Sequence, residues 1–149
     1  RPLVALRTFS KAYGLAGLRI GYGLMPEEIA SLLNRVRQPF NANSLAQSGA
    51  CAALEDKAFL EKVIILVHEG LDFLYNSLDR MGVKYFPTQA NFFLIDVAKD
   101  ANDVFERMLW DVVIVRSMTS CRFPNYIRIN VGLHEENVRF IKALEKCLQ

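Results

Sequence analysis

The chain has 149 residues, of which 52% are hydrophobic and 23% charged, with a net charge of +2 at neutral pH. That is apolar enough for a packed core and excludes disorder, while the small charge excess gives no electrostatic case for nucleic acid or an anionic membrane surface. Its apolar runs, such as Val63 to Val67, fall far short of the ~20 residues of a membrane helix.

Val4 to Phe9 reads as a strand, Ser10 to Gly17 as a glycine-containing loop, and Leu18 to Leu24 as a returning strand. Pro26-Glu27-Glu28 opens a helix, because proline suits the first turn and carboxylates suit the positive end of the helix dipole. That helix runs to about Val36 and stops before Pro39. Alanine-rich Ser44 to Glu55 is a second helix. Ala58 to Met81 is a third, with Leu60, Val63, Val67, Leu71, Leu74 and Leu78 at helical spacing and Gly82 as its C-cap. At 1.5 Å per residue this helix is about 36 Å long. Such a length fits a bridge between two lobes better than a small domain.

Strand and helix then alternate. Asn91 to Asp96 is a strand and Asp100 to Trp110 a helix with Asp100 as N-cap. Val112 to Arg116 and Tyr126 to Val131 are strands, and His134 to Leu148 is the last helix. Together they predict an α+β lobe. Two strands and one helix over the first forty residues cannot bury their own faces. With the opening Arg1-Pro2, which lacks both an initiator Met and a signal-peptide pattern, they suggest an excerpt of a longer protein. Cys51, Cys121 and Cys147 have no metal or redox spacing, and the odd count points to structural thiols in a reducing, cytoplasmic compartment. No metal site is expected.

Chemistry concentrates in Thr8-Phe9-Ser10-Lys11-Ala12-Tyr13-Gly14-Leu15-Ala16-Gly17-Leu18-Arg19-Ile20-Gly21-Tyr22. Lys11 and Arg19 are its only charges, set among apolar residues. A lysine stripped of solvent there has a lowered pKa and a nucleophilic amine. Arg19, with the hydroxyls of Ser10 and Thr8, could hold a phosphate. An aldehyde, a phosphate and a lysine together describe pyridoxal phosphate. The plain alternative is a turn carrying a surface lysine and a surface arginine. The glycines match neither a Walker A loop nor a dinucleotide fingerprint.

This segment resembles the cofactor-lysine motif of the class I and II aminotransferases: Ser-Lys, an aromatic residue, Gly, then Leu-Arg-x-Gly. The form S-K-A-Y-G-L-A-G-L-R-I-G-Y is most similar to the histidinol-phosphate aminotransferase branch. So are Arg37-Gln38-Pro39-Phe40-Asn41-Ala42-Asn43 with Leu45-Ala46-Gln47, Ala90-Asn91-Phe92, Val113-Ile114-Val115-Arg116, and Tyr126-Ile127-Arg128-Ile129-Asn130-Val131-Gly132. The resemblance implies an α/β chain of the PLP-dependent transferase fold type I. Residues 1–42 would be the end of the large cofactor domain, 43–81 interdomain helices, and 82–149 the small C-terminal domain.

The resemblance further implies that Lys11 joins the aldehyde of pyridoxal 5′-phosphate and moves the proton between substrate Cα and C4′. It gives Arg19, Ser10 and Thr8 to the cofactor phosphate, and Arg128 with Arg116 to the anionic group of the substrate. The implied reaction transfers an amino group between L-histidinol phosphate with imidazole-acetol phosphate and glutamate with 2-oxoglutarate. It belongs to histidine biosynthesis, in a homodimer. The acid that pairs with the pyridine nitrogen and the ring that stacks on the cofactor precede the lysine in the family, so these 149 residues are expected to be inactive alone. Two alternatives stay open. One is another enzyme of the superfamily, such as an aromatic or aspartate aminotransferase or a threonine-phosphate decarboxylase. The other is a non-catalytic lobe for folding or dimer contact.

Periodicity bears on Arg128 separately. Ile127, Ile129 and Val131 share one strand face, and Tyr126, Arg128 and Asn130 the other. Arg128 therefore stands opposite the core face, where it could equally be a solvated arginine, and Arg116 could equally be a strand-end charge. Asn91 is expected to hydrogen-bond backbone, and Asn41 and Asn43 either line a site entrance or serve turns. His68 and His134 read as structural or exposed, and Trp110 and Phe92-Phe93 as core. Leu133 stands where the family has a capping hydroxyl and cannot cap. The loop Met118 to Asn125 lies between the two arginines and has no glycine, which leaves its shape open.

Overall fold

The computed structural model describes residues 2–149. Arg1, at which the predicted large-domain remnant begins, lies outside them. The chain forms two compact units, Arg1–Ile64 and Ile65–Gln149, and the division falls inside one long helix.

In the first unit β1 (Ala5–Thr8) pairs antiparallel with β2 (Gly21–Leu24), with Thr8 opposite Gly21. Both strands are shorter than predicted. The intervening chain folds back on itself instead: a 3-10 turn at Ala16–Leu18 ends on Arg19 in left-handed backbone (φ 51). Phe9 anchors both sides of this loop, donating its N–H to Ile20 (3.2 Å) and accepting from Leu15 N (2.9 Å). A Cβ on Gly21 would lie 2.6 Å from the Arg7 carbonyl, so only glycine lets the two strands close here.

Helix α1 (Glu27–Val36) begins after Pro26 with two glutamates in its first turn and ends where Arg37 turns extended. Helix α2 (Ser44–Glu55) is capped by Asn43, whose Oδ1 accepts from Ala46 N at 2.8 Å. Helix α3 (Lys57–Met81) begins with Asp56 Oδ1 accepting from Phe59 N at 3.0 Å. Among the described residues of this unit the buried apolar side chains are Phe9, Ala46 and Ala50, while Leu3, Leu6, Leu24, Val36 and Phe40 are exposed.

The second unit is a four-stranded antiparallel sheet in the order β3-β4-β6-β5, with helices α4 and α5. Its strands are β3 (Lys84–Tyr85), β4 (Phe92–Asp96), β5 (Arg116–Ser117) and β6 (Tyr126–Asn130). The helices are α4 (Ala101–Trp110) and α5 (His134–Leu148). The core joins Leu71, Leu74 and Leu78 of α3 to Phe93 and Ile95 of β4, Val104 and Met108 of α4, Ile127 and Ile129 of β6, and Phe140 and Leu144 of α5. Alternation along β6 holds: its isoleucines are buried and Arg128 faces the other way. Asp100 caps α4 through the N–H groups of Asn102 and Asp103. Gly82, at φ 67, closes α3 while Val83 N reaches the Leu78 carbonyl at 3.0 Å.

Several expectations are corrected. The predicted strand Val112 to Arg116 pairs with β6 only at Arg116–Ser117. Its start is claimed by the end of α4: Val112 is left-handed (φ 59) and Val113 N donates back to the Met108 carbonyl at 2.9 Å. The helix's orphan carbonyls thus outcompete a sheet for this apolar run. Trp110, expected in the core, is 87% exposed, because α4 turns Val104 and Met108 inward and Trp110 away. Of the Phe92-Phe93 pair only Phe93 is core; Phe92 lies on the outer face of β4. Strand β3 and a 3-10 turn at Thr119–Cys121 are too short to leave a pattern. In the glycine-free loop, Arg122 itself takes the left-handed conformation (φ 67) that closes that turn.

Leu133 does not cap α5 with its side chain. The helix start is held from within, by Glu136 Oε2 accepting from Leu133 N at 2.7 Å. Asn137 adds a clamp on Gly132, accepting from its N–H (3.0 Å) and donating to its carbonyl (3.1 Å). Asn137 is buried, and a Cβ on Gly70 of α3 would collide with Val131 and crowd the Asn137 amide, so α3 and this junction meet only at a glycine. Asn137→Ala is expected to destabilise the full-length protein by about 1–3 kcal/mol, since it leaves the partly buried Gly132 groups unpaired. Urea denaturation checks this: an unshifted midpoint contradicts the clamp.

Candidate functional site

The first unit gathers the residues expected at a cofactor phosphate. Arg19 leaves the 3-10 turn in left-handed backbone, and its guanidinium donates to the Ala16 carbonyl (2.8 Å) and to Ser10 Oγ (3.3 Å). Ser10 N in turn donates to Thr8 Oγ1 at 3.1 Å. Arg19, Ser10 and Thr8 thus come together, each keeping hydrogen-bonding capacity to spare. Among the described residues no carboxylate lies within ion-pair distance of Arg19. A cationic fork beside a hydroxyl, braced by backbone and free of competing acid, fits the phosphate end of pyridoxal phosphate.

Lys11 is in the same loop, with its carbonyl accepting from Gly14 N at 2.8 Å. Its side chain is exposed. The desolvating apolar setting inferred from its sequence neighbours is therefore not built by the described residues around it. The apolar side chains are used elsewhere, in a cluster where the Phe9 ring lies 5.0 Å from Tyr13 and 5.7 Å from Tyr22.

The second unit gathers the two arginines expected for an anionic substrate group. Arg128 of β6 and Arg116 of β5 are direct partners in the antiparallel register. Like charges placed directly opposite on one sheet destabilise it, and among the described residues neither arginine has an acidic partner. Both line a cleft of about 600 Å³, with Arg139 of α5 on its wall. Glu136, the acid of that cleft, is engaged with Leu133 N. The Arg128 Nε is buried with no hydrogen-bond partner among the described residues. A buried donor left unsatisfied costs about 1–3 kcal/mol, more if charged. A carboxylate or phosphate held in the cleft would offset the repulsion between the two guanidinium groups.

Reading the residues alone missed Phe92. The Arg128 guanidinium carbon lies 5.2 Å from the centre of its ring, within cation–π range. The signal was available: Leu94 is paired with Arg128 and Phe92 with Asn130, so Phe92 and Arg128 are diagonal neighbours on one face. Asn91 differs from expectation, because its backbone carbonyl, accepting from Val131 N at 2.9 Å, does the bonding and its side chain has no partner among the described residues. Asn43 serves the α2 cap, and Asn41 Oδ1 accepts from Arg37 at 3.5 Å. His68 is exposed, and His134 stacks edge-on with Phe73 at 5.0 Å. All three cysteines are free thiols, and burial pushes the Cys147 thiol up, which leaves it a poor nucleophile.

The chain is similar to known proteins along nearly its whole length. A model of the family "Aminotransferase class I and II" matches residues 1–144. The chain is 52% identical over 147 residues to the histidinol-phosphate aminotransferase of Desulfotalea psychrophila, covering 99% of this chain and 39% of that protein. It is similar in structure to the histidinol-phosphate aminotransferase of Sinorhizobium meliloti solved in complex with pyridoxal-5′-phosphate. There the TM-score is 0.87 at 29% identity, over 97% of this chain and 41% of that one. It shares its fold with the Clostridium acetobutylicum histidinol-phosphate aminotransferase, at TM-score 0.89 and 23% identity, over 98% of this chain and 46% of that one. The chain spans about two fifths of the length of the curated relatives it matches. With a mixed α/β structure common to these solved aminotransferases and a family match over nearly all its residues, the chain belongs to the class I and II aminotransferases.

Proposed function

We propose that the full-length protein is a histidinol-phosphate aminotransferase, moving an amino group between L-histidinol phosphate with imidazole-acetol phosphate and glutamate with 2-oxoglutarate. The observation that carries this reading is the pair Arg116 and Arg128, set opposite one another with, among the described residues, no acid to neutralise them and one guanidinium nitrogen buried and unpartnered. Such a site is built for a multiply charged oxyanion, and a phosphate meets it better than a single carboxylate. Relatives at 46–52% identity that carry this name support it across the whole chain. We further propose a cytoplasmic homodimer. Residues 1–42 are then the end of the large domain, 43–81 the connecting helices and 82–149 the small domain.

Pyridoxal phosphate, when bound, supplies an aldehyde that captures amines and an electron-withdrawing ring. Arg19, Ser10 and Thr8 hold its phosphate. Lys11 would hold the group covalently through its amine and, once free, would serve as the base that moves the proton at substrate Cα. Arg116 and Arg128 would hold the phosphate of the substrate, so that a group remote from the reacting carbon supplies binding energy.

The test is a substrate profile of the full-length protein. L-Histidinol phosphate is expected to exceed aspartate and phenylalanine in kcat/KM by about 100-fold or more, because the two facing guanidinium groups stay unneutralised when the phosphate is absent. Equal or better turnover of the free amino acids contradicts the reading, as does carbon dioxide release from threonine phosphate as the faster reaction.

A further inference from the structure

We infer that Phe92 is a positioning residue for anion recognition: its ring fixes the plane of the Arg128 guanidinium and thereby sets affinity for the anionic substrate group. The inference rests on the anion-binding role proposed for Arg128. Three observations lead to it. Arg128 has no acid partner among the described residues, and its Nε has no hydrogen bond, so neither of the usual restraints on an arginine head acts here. Its cross-strand neighbour on β5 is Arg116, whose charge pushes the guanidinium away rather than holding it. On the other flank the Phe92 ring lies 5.2 Å from the guanidinium carbon.

The Phe92 ring contributes little to the core. It is 38% exposed on the outer face of β4, whereas its neighbour Phe93 is 2% exposed on the inner face. What the ring does meet is the Arg128 guanidinium. The electron-rich face attracts the charge while leaving the in-plane N–H groups free to point at a ligand. An aliphatic residue would cover the same surface without the attraction, and the long arginine side chain would regain its rotamers.

The experiment compares Phe92→Leu, Phe92→Tyr and Arg128→Lys in the full-length, cofactor-loaded protein, with L-histidinol phosphate as substrate. Phe92→Leu is expected to raise KM roughly three- to thirty-fold, with kcat within about twofold and Tm unchanged. Phe92→Tyr is expected to restore KM, since it restores the ring face. In the Arg128→Lys background Phe92→Leu is expected to add little, because the planar fork it orients is already gone. A raised KM in Arg128→Lys with no change in Phe92→Leu overturns the role of Phe92 and leaves that of Arg128 standing. So does a KM in Phe92→Tyr as poor as in Phe92→Leu, or full additivity in the double variant. An unchanged KM in Arg128→Lys overturns the anion role of Arg128 and this inference with it.

Discussion

Lys11→Ala is expected to abolish turnover in the full-length protein while leaving its stability intact. The two halves of this expectation have different physical sources. A positioned amine that both attaches to an aldehyde and carries a proton at Cα accounts for about 10³-fold of rate or more. By contrast the side chain is exposed, and the loop is held by the Lys11 carbonyl and by Phe9, Ser10 and Arg19 rather than by the amine. Alanine keeps all of those bonds, so stability changes by no more than about 0.5 kcal/mol. Steady-state rates and a denaturation curve on the same preparation separate the outcomes. Wild-type turnover shows that another group does the chemistry. Lost turnover with a collapsed transition shows that Lys11 was structural.

Arg128→Gln has the second largest effect, and its signature is the reverse of a structural mutation. Removing one of two facing guanidinium groups deletes a like-charge contact on the sheet, which favours the folded state by about 0.2–1 kcal/mol. It also forfeits charge-assisted bonds to the ligand, worth about 1.5–3 kcal/mol, or roughly 10- to 150-fold in affinity for the phosphorylated amine. The variant is therefore expected to bind substrate much more weakly while melting close to wild type, since the lost like-charge contact and the lost Phe92 cation–π contact offset one another. Titration of substrate against both proteins, with parallel melting curves, checks the two effects together. Arg116→Gln moves affinity in the same direction by less, because Arg116 is exposed and its charge is screened. Unchanged affinity in Arg128→Gln contradicts the assignment of this strand to anion recognition.

What was legible in the sequence follows from how each feature is encoded. Helices α1 to α5 appeared because composition and apolar periodicity act locally, and Asp100 and Gly82 marked one N-cap and one C-cap, whereas the capping roles of Asn43, Asp56 and Glu136 were not read. The segment Val112 to Arg116 was misread because its apolar run carries no mark of the preceding helix, whose terminal carbonyls bind Val113. Trp110 was misread because residue type says nothing of which side of α4 meets the core. At the candidate site, the Arg19, Ser10 and Thr8 grouping was readable from a short loop. The facing of Arg116 and Arg128 needed the strand register, which joins residues twelve apart in the chain. The exposure of Lys11 was not readable either, since apolar neighbours in sequence can pack on one another and leave a charge outside.

The central claim is that Lys11 is the point at which pyridoxal phosphate joins the chain. Incubating the full-length protein with pyridoxal phosphate, fixing the adduct with borohydride and mapping the peptides by mass tests it most directly. The label is expected on the peptide that carries Lys11 and to disappear in Lys11→Ala. A stable label on another lysine, such as Lys57 or Lys62, with none on Lys11, would contradict the account.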